Sequence, residues 1–162
     1  MRKITIYILV LAMVLSFVGC GSSQKQEELI AYINNDLVEL VALENDVLES
    51  YGSVTGDNYT NDLDMYMEFT TTTVELARKL NDKAVNISEG IADEKILEIH
   101  RIYMNYSNKL LNVVILMVSA LENQDATLIA EASEKLNEAN NYALDYRESL
   151  TKLAEEYKVE IQ

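Results

Sequence analysis

Apolar residues recur three and four positions apart through almost the whole chain beyond residue 25, and no Pro interrupts them. That period belongs to a helix with one buried stripe; a half-buried strand would alternate every second residue. Four runs carry it. The first, residues 26–51, places Ile30, Ile33, Leu37, Leu40, Glu44, Val47 and Tyr51 on its seam. The second, residues 61–88, places Leu63, Tyr66, Thr70, Thr73, Ala77, Leu80, Ala84 and Ile87 there. The third, residues 93–122, has Ile96, His100, Tyr103, Ser107, Leu110, Val114, Met117 and Leu121. The fourth, residues 126–158, has Ile129, Ala132, Leu136, Ala139, Ala143, Tyr146, Leu150, Leu153 and Tyr157. The β-branched run Thr70–Thr73 makes the second segment the poorest helix former.

Boundary residues agree with these runs. Thr60 or Asn61, Asp93 and Asp125 can each cap a helix by accepting from its free amides. Gly52 and Gly90 read as helix stops. The connections are short, so neighbouring helices must be antiparallel. The expected fold is all-α, an up-down-up-down four-helix bundle over residues 26–162. Five Gly and no Pro in 162 residues also disfavour an all-β fold, which needs many turns.

The N-terminus has a different character. Met1-Arg2-Lys3 precedes an apolar run from Ile4 to Val18, then Gly19-Cys20-Gly21-Ser22-Ser23. A basic start, an apolar stretch and a small residue before a cleavage point form a secretory leader. The run is about 15 residues, roughly 22 Å as helix, short of a ~30 Å hydrocarbon core. Ser16-Phe17-Val18-Gly19-Cys20 resembles the lipobox of bacterial lipoproteins, with Phe17 in place of the usual Leu. The resemblance implies a leader of residues 1–19, a diacylglycerol-type lipid on Cys20, and a tether of residues 20–25. Two acyl chains on one residue anchor stably. Removing residues 1–19 takes away Arg2 and Lys3 and no acid, which moves the net charge from -14 to -16.

The mature part resembles small helical lipoproteins of Gram-positive bacteria in three places. These are the stretch from Leu43 to Thr60, the spacing of His100 and Tyr103, and the closing Glu155-Glu156-Tyr157-Lys158-Val159-Glu160-Ile161. The resemblance implies the outer face of the cytoplasmic membrane as location, and no activity or site.

Charge and composition narrow the function classes. A strongly acidic chain is unsuited to nucleic acid, whose phosphates need clustered Lys and Arg. One Cys excludes an internal disulfide and any Cys-based metal site. His100 is the only imidazole, and Leu97 stands where a Glu-x-x-His pair would need its Glu, so no di-iron pattern is present. No Gly-rich phosphate loop, attached-haem motif or calcium loop occurs. No catalytic constellation, cofactor or metal site is therefore expected.

Candidate sites remain in two places. Counting turns puts His100 level with Tyr32 and Asn81, a candidate internal polar site. Glu44, about 16 Å further along the axis, is expected at the bundle edge, accepting a bond from Tyr66. The loop Ser53–Tyr59 falls at the far end from Cys20, and Tyr51, Asp57, Asn58 and Tyr59 form a candidate partner-binding loop there. Val113, Ile115, Leu116 and Val118 lie in a stretch apolar on nearly every side, a candidate homodimer contact. The expected function is a lipid-anchored, non-enzymatic bundle that binds a protein or cell-envelope partner. The alternative is a small-ligand or cation sensor with a pocket of several hundred Å³ inside the bundle.

Overall fold

A computed structural model describes residues 23–161; the leader-like segment and Cys20 lie outside them. Four helices pack as a bundle: α1 over residues 24–53, α2 over 62–88, α3 over Glu94–Asn123 and α4 over Ala126–Tyr157. With about 1.5 Å rise per residue, α3 is about 45 Å long. α1 packs on α2, α2 on α3, and α4 mainly on α3. The connections at 54–61 and 124–125 lie at the end far from residue 23, and the 89–93 turn lies at the near end. No helix among the described residues is long and apolar enough to cross a membrane.

Short polar side chains set the helix starts. Ser23 and Gln26 form a reciprocal capping box, so α1 begins at Gln24, two residues before the sequence period suggests. Asn61, Asp93 and Asp125 each accept from amides of the following first turn. Gly52 does not stop α1, which runs on through Ser53. The left-handed glycine of that loop is Gly56, with φ 62°. α3 and α4 end instead on Gln124 and Lys158, both left-handed.

α1 and α2 are each interrupted by a π-helical turn, at Tyr32–Leu37 and Phe69–Thr73. Such a turn inserts one residue, so the inward face N-terminal to it moves by one position. Before the turn in α1 the buried residue is Leu29, not Ile30, and Tyr32 and Ile33 both face inward. Before and at the turn in α2, Met65 and Phe69 are buried in place of Tyr66 and Thr70. Beyond the turns the expected seams hold: Leu37, Leu40, Glu44 and Val47 in α1, and Thr73, Ala77, Leu80, Ala84 and Ile87 in α2. The threonines stabilise the irregular turn: Thr70 and Thr71 donate to the carbonyls of Tyr66 and Met67 at 2.7 and 2.8 Å.

α3 contributes the most buried residues of the four. Within its apolar stretch Val113 is buried, Leu116 and Val118 pack half-buried against the core, and Ile115 is 38% exposed. The four do not form one exposed patch, because their angular spread wraps around the helix and α1, α2 and α4 cover most of it.

The near end is stitched by two carboxylates. Glu28 Oε1 of α1 accepts from the amides of Ala92 and Asp93, at 2.8 and 2.7 Å. The Tyr157 hydroxyl at the end of α4 donates to Asp93, which also caps α3. Burial draws the Asp93 carboxyl upward, but the amides of Ile96 and Lys95, the Tyr157 hydroxyl and Lys25 together hold it below its ordinary range.

Candidate functional site

The polar core lies where the π turn of α1 faces His100. His100 is fully buried, and its Nε2 lies 2.7 Å from the carbonyl oxygen of Ala84 in α2. A carbonyl only accepts, so Nε2 carries the proton and Nδ1 is the free acceptor. The Tyr32 hydroxyl donates to Nδ1 at 3.0 Å, and its oxygen in turn accepts from the Tyr146 hydroxyl at 2.9 Å. One directed chain therefore links α4, α1, α3 and α2. Burial holds the His100 pKa below its ordinary value, opposed by the Ala84 carbonyl and Asp36. The imidazole is neutral in this role. The extra residue of the π turn brings Tyr32 onto the inward face beside Ile33.

Asn81 does not join this group. Its Oδ1 accepts from the Ser107 hydroxyl at 3.3 Å, away from the Tyr32–His100 bond. Direct hydrogen bonds and ring contacts join Tyr32, His100 and their neighbours. The Tyr32 ring meets His100 edge-on at 5.6 Å, and the Tyr103 ring lies parallel to His100 at 6.3 Å.

Glu44 departs from expectation. It does not turn to the bundle edge and does not meet Tyr66; it is 1% exposed and accepts from Tyr103 at 3.0 Å and Tyr106 at 2.8 Å. These tyrosines sit one turn apart on α3, so their hydroxyls converge on one carboxylate. Tyr66 stands on the outer side of α2 and donates to Glu122 at 2.9 Å. Burial raises the Glu44 pKa, and the two tyrosine bonds and Arg147 only partly counter it. Tyr103 stacks edge-on with both Tyr106 and Tyr146, joining this site to the His100 chain.

Among the described residues every buried side-chain N and O has a hydrogen-bond partner, and no group of three acidic, His or Cys side chains is placed to hold a metal. The buried network has its donors and acceptors turned on one another. A slipped packing of the four helices would break these bonds.

The far end is built differently. Tyr51 is half-buried and stacks on Phe69 at 5.3 Å, so it serves packing. Asn58 donates to the Gly52 carbonyl at 2.9 Å, and Tyr59 donates to Asp62 at 2.8 Å. Asp57, Asn58 and Tyr59 are exposed on a loop that these bonds hold, and Tyr51 stands apart from them. Beside the loop, Leu63 is 64% and Met67 54% exposed. Asp62, Leu63, Tyr66, Leu121 and Glu122 line an open groove of about 380 Å³ between α2 and α3.

The seam reading had put Leu63 inside, so it missed this surface. The charge order of the chain was the available signal. No Lys, Arg or His occurs from residue 26 to 77 or from residue 110 to 134. The far end thus displays acids without bases, while Lys83–Glu39, Lys95–Glu156 and Lys109–Glu138 pair lower down. Comparison with family models, curated proteins and solved structures gives no match.

Proposed function

We propose that this protein is a non-enzymatic helical bundle, lipid-anchored through Cys20 on the outer face of the cytoplasmic membrane of a Gram-positive bacterium. It presents its far end to a protein or cell-envelope partner. The observation that carries the binding half is the contrast between the two regions. The polar core is closed on itself, whereas Tyr59, Leu63 and Met67 stand exposed at the end opposite residue 23. The anchoring half rests on Ser16-Phe17-Val18-Gly19-Cys20 alone.

The alternative, a small-ligand or cation sensor around Tyr32, Asn81 and His100, has less support. Tyr32 and His100 bond each other directly, and Asn81 lies apart.

Two experiments test the two halves. Labelled fatty acid should enter the protein and be lost in Cys20→Ala; an unlipidated mature product, insensitive to a lipoprotein signal peptidase inhibitor, overturns the anchor. Cross-linked pull-down from cells should lose its partner when residues 54–61 are replaced by a Gly/Ser loop; full retention overturns the far end as the binding region.

A further inference from the structure

The geometry points to the outward face of the first turns of α2 as a docking surface for a cationic amphipathic protein segment, in which apolar residues are flanked by Lys or Arg. This rests on the partner-binding reading above and supplies its surface and its chemistry.

Leu63 and Met67 are four residues apart, so they are neighbours on one helix face. Both are more than half exposed, and Tyr59, fastened to Asp62, adds a ring that is 46% exposed at the same end. The face is outward for a structural reason. In an uninterrupted helix Leu63 and Tyr66 would continue the inward seam of Thr73, Ala77 and Leu80. The π turn at Phe69–Thr73 gives that seam to Met65 and Phe69 instead. The segment is thus apolar on two sides, and a helix with that distribution is ordinarily covered on both. The groove beside Tyr66 supplies a concave edge against α3. An unbranched Met and the exposed Tyr59 ring suit a contact surface that adapts to an apolar partner.

Charge selects among occupants. Asp62 and Glu122 line the groove beside the face, exposed Asp64 follows Leu63 in the chain and exposed Asp57 stands in the preceding loop, and the base-free stretches extend well beyond them. A segment bearing Lys or Arg around apolar anchors meets attraction at the rim and burial at the centre. A second copy would bring the same acids against themselves, and an anionic lipid surface would be repelled in the same way.

The test uses the mature, lipidated full chain in detergent micelles and a fluorescent amphipathic Leu/Lys helix peptide, with a Leu/Glu peptide as control. Leu63→Ser combined with Met67→Ser leaves every charge in place and alters only exposed side chains. Leu144→Ser, at a leucine 47% exposed elsewhere, is the matched control. The Leu/Lys peptide should bind saturably, more weakly in high salt, and by about tenfold or more less tightly to the double variant. Leu144→Ser should bind as the parent does, and the Leu/Glu peptide should not bind. Equal binding to parent and double variant overturns the proposal, because the acids alone then attract the peptide. No binding overturns it too, as does self-association that the double variant abolishes, which makes a second copy the occupant. If the cellular partner is kept by the double variant but lost on loop replacement, this surface fails and the partner-binding reading stands.

Discussion

The Tyr32 hydroxyl donates to Nδ1 of His100 across 3.0 Å, at the centre of a chain that touches all four helices. Tyr32→Phe keeps the ring and removes both of its bonds. It leaves Nδ1 of His100 without a donor and the Tyr146 hydroxyl without an acceptor, in a site closed to water. An unsatisfied buried polar group costs about 1–3 kcal/mol, so the variant should lose about 2–4 kcal/mol. Urea unfolding measures this as a lower midpoint at unchanged slope. A loss within experimental error would mean that the chain does not hold the bundle in register.

His100 makes stability depend on pH in a stated direction. Its folded pKa lies below the ordinary value of 6.5 because burial penalises the imidazolium. Between the folded pKa and 6.5 the unfolded chain binds more protons than the folded one, so stability falls as the pH drops. The contribution is complete above 6.5 and diminishes below it. His100→Gln should flatten the melting-temperature profile as the pH falls below 6.5 relative to the parent, after allowance for the overall destabilisation. A parallel profile in the variant would assign the slope to other groups.

Glu44 contributes with the opposite sign. Its folded pKa is raised above the ordinary 4.5, first by burial, so the folded state holds the proton more tightly than the unfolded one. Stability from this group is fully present below 4.5 and lost as the pH rises through the folded value. Glu44→Gln should therefore gain on the parent as the pH rises above 4.5 toward the folded value, a divergence visible in paired thermal melts. Glu44→Ala strands the Tyr103 and Tyr106 hydroxyls and opens a void, and should cost about 3 kcal/mol or more at any of these pH values.

Much of this architecture was legible in the sequence, and the misplaced seam residues of α1 and α2 share one cause. The seams of α3 and the lower part of α4 follow from spacing alone, as do the caps Asp93 and Asp125. Counting turns also sets Tyr32 level with His100, but it is the π turn that faces Tyr32 inward. A three-four period assumes that every turn is alike. It is blind to an inserted residue, so it put Ile30, Tyr66 and Thr70 inside where Leu29, Met65 and Phe69 are. Counting layers with a uniform rise likewise set Glu44 against Tyr66. Its true partners, Tyr103 and Tyr106, are chosen by which faces of α1 and α3 oppose each other, and linear spacing does not hold that information. The exposed face of Leu63 and Met67 was hidden for the same reason, although the run of residues without a base marked the region.

The π turn of α2 can be removed by taking out one residue. Thr71 is exposed and bonds only to the Met67 carbonyl and to Thr72. Deleting it brings Phe69 and Met65 to three and seven residues before Thr73, the ordinary inward spacings of an α-helix. Met65 and Phe69 therefore keep the core side and Leu63 and Met67 stay outward, with no π turn between them and the rest of α2. Phe69 is fully buried and stacks on Tyr51, so its place in the core is a sensitive reporter. The deletion should melt close to the parent and keep Leu/Lys peptide binding. An alanine at position 71 keeps the inserted residue and should also leave both nearly unchanged. A loss of about 3 kcal/mol or more on deletion, the size expected for emptying the Phe69 site, would mean that the first turns of α2 rotate instead. The inserted residue would then not be what the π turn absorbs, and the outward placement of Leu63 would need another cause.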